Sequence, residues 1–451
     1  MCNIHFRRKF ENHLLILKAA FPIILANASA PLLGLSDTAV IGQTGTAVEL
    51  GGIALGALIF SFAYWGFGFL RMGTTGFVAQ AAGVKNMHEV QVILLRSLLM
   101  AVVIAVVLLF LQFPIAWFAL WLMDASEAVK AHVKVYFDTR IWGAPATLAT
   151  FALLGTLIGL GHTKKLLVIQ LFLNGMNIVL NLFFVLILNW GVKGIALGTV
   201  IAEWLAFGFA FCLVLQSVQS GNFVSMLRNS WTKLLDKGKL WTMLTVNSNI
   251  MLRTLALLIG FAWFANEGAK FGNTVLAANH ILLQFVSLSA FFLDGYAYVV
   301  EMLTGQAIGI RNPHKLKRDI RDSTQLAGIT AILLAMLIWL YGDLGIRFLT
   351  VERTLQFVSH EFLIYAAMYV AVSFIAFQLD GIFIGATRSK EMRNAAIVSL
   401  LLFLGAGYWL IPLYHNHGLW LAFIIYVVAR GISLGFYFPK IMKEINDLRL
   451  Q

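Results

Sequence analysis

The chain has 451 residues, of which 60% are hydrophobic and 12% are charged, and its formal net charge is +12. Soluble domains contain about 25% charged residues, so the composition excludes an ordinary soluble domain. Apolar runs of about 20 residues, enough to cross roughly 30 Å of hydrocarbon as helices, recur along the whole sequence. The ~10-residue alternating segments of a membrane β-barrel are absent from it. The sequence therefore predicts an all-α polytopic membrane protein.

About twelve predicted spans follow one another, six in each half of the chain. In the first half they cover approximately residues 14–41, 50–80, 91–122, 132–158, 165–189 and 194–217. In the second half they cover approximately 240–265, 275–305, 323–345, 358–386, 394–413 and 418–439. The polar stretch between the halves predicts an N-lobe over 1–217, a cytoplasmic linker over 218–239 and a C-lobe over 240–451.

The two halves resemble each other in sequence. Segment 80–86 (QAAGVKN) matches 306–312 (QAIGIRN), and segment 155–159 (GTLIG) matches 381–385 (GIFIG). Both pairs are offset by 226 residues (306 − 80 and 381 − 155). A fixed offset indicates that one unit has been duplicated. A duplicated apolar unit is typical of transporters built from two pseudo-symmetric lobes.

The distribution of basic residues predicts the orientation in the membrane. Twelve spans place both termini on the same side, and lysine and arginine accumulate in cytoplasmic loops. Most basic loop residues fall on the side of the termini, which we therefore expect to be cytoplasmic. The opposite loops carry Lys130, Lys134, Lys193, Lys270, Arg347 and Arg353. Because the charge is spread over every second loop, nucleic acid is not an expected partner.

The first span contains an acidic residue, Asp37. Ionisable groups inside a span are rare and are functional candidates by default. Asn27, Pro31, Gly34 and Asp37 follow one another at spacings that place them on one helix face. Pro31 removes a backbone hydrogen bond, so Pro31 and Gly34 predict a hinge. We expect Asp37 to bind the coupling ion; the alternative is a buried carboxylate satisfied by backbone groups.

The fifth span carries a polar stripe on an otherwise apolar helix. Its members are Gln170, Asn174, Asn177 and Asn181, spaced as i, i+4, i+7 and i+11. Amides can hold helices together at ~0.6 kcal/mol per hydrogen bond, but four in one stripe favour the lining of an N-lobe cavity. Thr199 and Glu203 of the sixth span could complete the wall. Glu203 fits a structural ion pair equally well.

The C-lobe has a second polar set. On the eighth span, His280, Gln284, Ser287, Asp294, Tyr298 and Glu301 fall near one face. An arginine in hydrocarbon needs a partner, so Arg253 of the seventh span is expected to pair with Asp294 or with Asp380 of the tenth. Arg430 lies in the twelfth span. The pairing fits a structural role and a transport role equally, and His280 fits a core histidine better than a proton relay.

Several enzymatic signatures are missing from the sequence. It contains no P-loop, no His-Glu-x-x-His or cysteine cluster, and no Gly-x-Ser-x-Gly elbow. We therefore expect no cofactor and no bound metal, and a secondary transporter driven by an ion gradient. A membrane-embedded enzyme would depend on the face from His280 to Glu301, and a channel would not need duplicated lobes.

Four segments together resemble the multidrug and toxic compound extrusion (MATE) family, in its bacterial DinF-type branch. They are 31–42 (PLLGLSDTAVIG), 70–76 (LRMGTTG) followed by Gln80, 293–298 (LDGYAY) with Glu301, and 379–388 (LDGIFIGATR) with 391–394 (EMRN). The resemblance covers essentially the whole chain. It implies two six-helix lobes that open alternately to either side, a monomer in the bacterial inner membrane, and export of lipophilic or cationic small molecules in exchange for H⁺ or Na⁺.

The resemblance also implies roles for individual residues. The cavity aspartate of the family matches Asp37, and polar wall residues match Asn177, Asn181 and Thr199. Several relatives have a second aspartate at the position of Asn181, so Asp37 is the one carboxylate carried over, which favours H⁺ over Na⁺. Protonation of Asp37 would bend the first span near Pro31 and expel the substrate. The alternatives are a Na⁺-coupled exporter that uses C-lobe acids and a flippase for lipids or lipid-linked oligosaccharides.

Overall fold

The structure, a computed structural model, describes residues 11–29, 31, 40, 45–123, 125–219 and 223–450, with side chains to 447. The regular structure of these ranges is helical throughout, with no strand among them. The helices are α1 (Glu11–Ser29), α2 (Ala47–Gly66), α3 (Phe69–Gly83), α4 (Met87–Phe110), α5 (Gln112–Leu122), α6 (Glu127–Arg140), α7 (Ala144–Gly159), α8 (Thr163–Leu182), α9 (Gly191–Ser217), α10 (Phe223–Leu234), α11 (Lys237–Ala269), α12 (Asn273–Gly309), α13 (Pro313–Leu349), α14 (Arg353–Gly385) and α15 (Ser389–Leu450).

Eleven helical stretches of the described residues are long and apolar enough to cross a membrane. The last stretch, Ser389–Asp447, contains two limbs of α15, because His415 has φ of 51° and ψ of −128°, outside the helical region. Counting the limbs separately gives twelve segments (eleven plus one), in agreement with about twelve predicted spans. The prediction of an all-α polytopic membrane protein is confirmed.

The helices form two compact units. We call Leu25–Met243 the N-unit, and we call Leu244–Gln451 together with the described part of Met1–Ile24 the C-unit. The first part of α1 thus belongs to the C-unit, where Ala20 and Ile23 are buried against α12 and α13. Asn12 Nδ2 donates a hydrogen bond to Asp322 Oδ2 at 2.7 Å.

Each unit has its own apolar core. In the N-unit, buried aliphatic side chains such as Val78, Leu94 and Leu157 pack between α3, α4 and α7. The core of the C-unit is more aromatic, with Phe264 packed edge-on against Trp420 at a ring distance of 5.1 Å. Two separate cores agree with two units that each bury their own helix faces.

The repeated sequence segments end their helices with the same backbone conformation and hydrogen bonds. After α3, Lys85 takes a left-handed φ of 58°, and the N–H groups of Lys85 and Asn86 donate to Ala82 and Ala81 carbonyls at 2.9 and 3.0 Å. This pattern ends helices commonly because it satisfies their last carbonyls. The same geometry recurs 226 residues later. Arg311 is left-handed, and the N–H groups of Arg311 and Asn312 donate to the Ile308 and Ala307 carbonyls.

The glycines of the second repeated segment hold equivalent helix contacts. A Cβ at Gly155 of α7 would collide with the Arg71 carbonyl of α3. A Cβ at Gly381 of α14 would collide with the Ala297 carbonyl of α12. Arg71 and Ala297 are themselves 226 residues apart (297 − 71). The two units are therefore copies of one packing scheme, and only glycine permits these close backbone approaches.

Candidate functional site

The predicted stripe of α8 forms a hydrogen-bonded network in the N-unit. Asn177 and Asn181 are fully buried, and Asn181 Nδ2 donates to Asn177 Oδ1 at 3.0 Å. Asn177 Nδ2 donates to Thr199 Oγ1 of α9 at 2.8 Å, and Thr199 in turn donates to the Ile195 carbonyl at 2.9 Å. The structure therefore brings together three of the predicted wall residues. Gln170, two turns before Asn177, is partly buried.

A glycine permits the close approach of α9 to this network. A Cβ at Gly198 would overlap the Asn181 amide oxygen and lie 3.2 Å from its backbone nitrogen. Any larger residue would displace the Asn181 side chain from Asn177. Gly198 was not among the predicted site residues, although its position next to Thr199 on a small-residue face is a signal for helix contact.

The end of α1 is attached to the same stripe within the N-unit. Asn174 Nδ2 donates to the Ser29 hydroxyl at 2.8 Å and to the Ser29 carbonyl at 3.0 Å. Asn174 Oδ1 is buried and has no hydrogen-bond partner among the residues the structure covers. The amide oxygen is therefore a buried acceptor that could take one further hydrogen bond.

Asp37, the predicted ion-coupling residue, lies outside the residues that the structure describes. Gly34 lies outside them as well. Pro31 is described, is helical and is exposed, two residues beyond Ser29. The predicted hinge and the role of Asp37 therefore remain predictions from the sequence.

Glu203 forms a buried ion pair with an arginine that the sequence analysis did not single out. Arg140 Nη1 and Nη2 donate to the Glu203 carboxylate at 2.6 and 2.5 Å, and both side chains are buried. The guanidinium lies over the rings of Phe60 and Tyr64, at 5.2 and 5.5 Å from their centroids. Arg140 lies inside predicted span 132–158, where an arginine pairs with an acidic side chain or with backbone carbonyls. That rule predicts a partner for Arg140, but it does not identify Glu203.

The C-unit contains a buried cluster of two arginines and one aspartate. Arg430 Nη2 donates to Asp380 Oδ2 at 2.6 Å. Arg253 Nε donates to Asp380 Oδ1 at 3.4 Å, and Arg253 Nη2 donates to Oδ2. Of the two predicted partners of Arg253, the structure places Asp380 beside it. With two guanidinium groups on one carboxylate, the cluster carries an excess positive charge.

The predicted polar face of α12 is not gathered into one site. His280, Gln284 and Ser287 are exposed, and Gln284 Nε2 lies 3.2 Å from His280 Nε2. His280 is therefore not a core histidine, in contrast to the expectation. Asp294 is partly buried and Glu301 is buried. Along a helix of this length, one face is exposed at some turns and buried at others, and sequence periodicity does not show where burial begins.

The polar sets of the two units are not copies of each other. At the offset of 226, Asn174, Asn177 and Asn181 correspond to Leu400, Phe403 and Gly407. Arg253, Asp380 and Arg430 correspond to Asn27, Leu154 and Trp204. The packing scheme is shared, but each unit has its own polar chemistry. Within the described ranges, no group of three or more His, Cys, Asp or Glu side chains is placed to hold a metal ion.

The chain is similar to proteins of one family over both units. A family model described as MatE matches residues 22–183 and 251–409, which together make up more than half of the chain. The DNA damage-inducible protein F of Escherichia coli is 37% identical over 420 residues, which cover 92% of this chain and 89% of that protein. The multidrug resistance protein NorM of Vibrio cholerae is 24% identical over 457 residues, covering 96% and 97%.

A solved structure has the same fold. It is the outward-facing conformation of a multidrug resistance MATE family transporter of the MOP superfamily, with a TM-score of 0.85 and 17% sequence identity. The match covers 98% of this chain and 97% of that chain. At this identity the comparison establishes the fold alone.

Proposed function

The chain belongs to the MatE family, whose members are membrane transporters and not enzymes, and we propose that it exports lipophilic and cationic small molecules in exchange for protons. The observation that carries this proposal is the family match across both units, together with 37% identity to the DNA damage-inducible protein F. The name of the NorM relative, a multidrug resistance protein, supports the substrate class. We place the protein in the inner membrane of a bacterium, as a monomer.

The polar network of the N-unit is the proposed substrate and proton site. Its members are amides and hydroxyls, so it offers hydrogen bonds without a fixed charge that would repel an organic cation. We assign the coupling role to Asp37. Its deprotonated carboxylate would hold the cation, and its protonated carboxyl would donate to an amide oxygen such as Asn174 Oδ1. The two ligands would therefore compete for one carboxylate.

Bending of the first span would connect this competition to transport. Protonation from outside would favour a helix bent near Pro31, because the carboxyl hydrogen bond exists in that state alone. The bound cation would favour the other state. Such a difference in interaction free energy is what a ligand needs in order to shift a conformational equilibrium. After the lobes open inward, the proton would leave to the cytoplasm.

The chemistry of the C-unit supports H⁺ over Na⁺ as the coupling ion. Asp380 accepts hydrogen bonds from Arg253 and Arg430, so two internal cations already occupy its oxygens. A hard metal cation would have to displace both guanidinium groups, and it would be repelled by the excess positive charge. The Na⁺-coupled alternative would instead use Asp294 and Glu301 of α12.

Transport assays in proteoliposomes test the proposal. We expect a pH gradient to drive ethidium transport, and Asp37→Asn to abolish the pH-driven part of it, because an amide side chain cannot take up the coupling proton. Asp138→Asn is the matched control, since Asp138 is an exposed acid of the same unit. Transport driven by a Na⁺ gradient, or undiminished transport in Asp37→Asn, would contradict the mechanism. If no cation is transported, the flippase alternative gains support.

A further inference from the structure

An apolar groove lies between the two limbs of α15 in the C-unit. Its volume is about 620 Å³. The main lining side chains are Val398 and Leu402 of the first limb and Ile425, Val428, Ile432 and Phe436 of the second. These residues belong to stretch Ser389–Asp447, which is long and apolar enough to cross a membrane. None of its lining residues belongs to the polar network of the N-unit.

The groove opens to the outside of the C-unit. Leu402 is 50% exposed, Ile432 56% and Phe436 80%. In a membrane-spanning helix such side chains face hydrocarbon, so we expect apolar groups to occupy the groove. Its second wall runs from Ile424 to Tyr437, which at about 1.5 Å per residue is roughly 20 Å. This length is more than half of a hydrocarbon core of roughly 30 Å, so the wall is long enough for an acyl chain of one leaflet.

Next to one end of the groove lies Arg393, which pairs with no carboxylate among the described residues. Asn394 lines this end, and its Oδ1 accepts hydrogen bonds from Arg393 Nε and Nη2 at 3.1 and 2.8 Å. Arg393 Nη1 donates to Asn249 Oδ1 at 2.8 Å. Both partners are neutral amides, and among the described residues no carboxylate oxygen lies within salt-bridge distance of this guanidinium. Arg393 is partly buried, so its charge is incompletely screened by water.

We propose that this groove binds an anionic phospholipid, with an acyl chain between the limbs of α15 and the phosphate on Arg393. A guanidinium has five N–H donors, and Asn394 and Asn249 take three of them, which leaves two for phosphate oxygens. The amide partners hold the guanidinium beside Asn394 without neutralising its charge. Lys390, exposed on the first turn of the same limb, adds positive charge at the headgroup level.

Native mass spectrometry of the detergent-purified protein tests the proposal. The probes are phosphatidylglycerol and phosphatidylcholine with identical acyl chains. We expect the first bound lipid to favour phosphatidylglycerol about fivefold, which corresponds to about 1 kcal/mol for one basic side chain near an anionic headgroup. Arg393→Gln should abolish this preference, and Arg393→Lys should retain part of it. Retention of the full preference in Arg393→Gln would overturn the proposal.

A second pair of variants tests the acyl-chain part. Val398→Trp fills the groove from its exposed side and should lower the occupancy of both lipids. Ile332→Trp, on an exposed face of α13 outside the groove, should leave both unchanged. Equal effects of the two substitutions would mean that the lipid is merely annular. Displacement of the bound lipid by ethidium would make the groove a substrate site, and would equally overturn the proposal.

Discussion

At the scale of single residues, buried hydrogen bonds decide which polar side chains act together. Asn177 of α8 is fully buried, and its Nδ2 donates a hydrogen bond to the Thr199 hydroxyl of α9. The sequence predicted that Asn177 and Thr199 lie on one cavity wall. It did not predict which amide bonds to which hydroxyl, because that pairing depends on how closely α9 approaches α8 at Gly198.

Removing the acceptor of Asn177 should destabilise the N-unit. Thr199→Val keeps the shape of the side chain but leaves a buried amide N–H without its partner, which costs about 1–3 kcal/mol. Thr199→Ser keeps the hydroxyl and should cost less. Thermal unfolding in detergent would show the difference as a lower midpoint for the valine variant. Equal midpoints for valine and serine would contradict a role for the hydroxyl.

The Arg140–Glu203 pair should be sensitive to the loss of one partner. Glu203→Leu leaves a buried guanidinium without its counter-charge, which costs about 3–5 kcal/mol. Arg140→Met combined with Glu203→Leu removes both charges and should recover most of that stability. Unfolding of the two single variants and the double variant gives the coupling between the residues. Additive losses would show that the two side chains do not act as a pair.

At the scale of helices, the predicted linker contains a helix that the polar composition concealed. Residues 218–239 were expected to be a polar connection, yet α10 occupies part of them. Its buried residues, Met226, Ser230 and Leu234, recur every four positions. This interval is the signal that was available in the sequence. It was overlooked because 218–239 includes five serine and asparagine residues, which favour turns.

A buried arginine of α4 holds the end of this helix. Arg96 is 1% exposed, and its Nε donates to the Leu234 carbonyl at 3.3 Å. Its Nη2 donates to the Lys233 carbonyl. Arginine side chains near a helix C-terminus satisfy the last carbonyls in this way. The linker is thereby attached to the N-unit.

Loss of this attachment should expose the linker to proteases. We expect Arg96→Met to increase the rate of cleavage within 218–239 several-fold, because α10 loses the donors for its last carbonyls. Arg228→Met changes an exposed arginine of the same helix and is the control. Limited proteolysis followed by mass spectrometry identifies the cut sites. An unchanged pattern in Arg96→Met would show that apolar packing alone holds α10.

At the scale of the whole molecule, the duplication and the number of spans were predictable, because both rest on long-range regularities of the sequence. The offset of 226 reappears in helix ends and in glycine contacts. The division of α1 was not predicted, although Pro22, a residue that disturbs helices, lies three residues before the change from the C-unit to the N-unit at Leu25.

The orientation predicted from basic loops can be tested with single cysteines. In a background of Cys2→Ala and Cys212→Ala, Ser126→Cys and Thr232→Cys place an exposed thiol in a predicted outer loop and in the linker. A membrane-impermeant maleimide should label the first in intact cells and the second only after permeabilisation, since basic segments stay in the cytoplasm. The reverse pattern would place the termini outside.

The duplicated helix ends also indicate a substitution that should stabilise the protein. After α7 the left-handed residue is Gly161, with φ of 81°, whereas its counterpart after α14 is Thr387, with φ of 55°. A side chain in this conformation costs about 1–2 kcal/mol, which glycine avoids. Thr387→Gly should therefore raise the unfolding midpoint, while Gly161→Thr should lower it. Information that is usually sought by comparing relatives is here available by comparing the chain with itself.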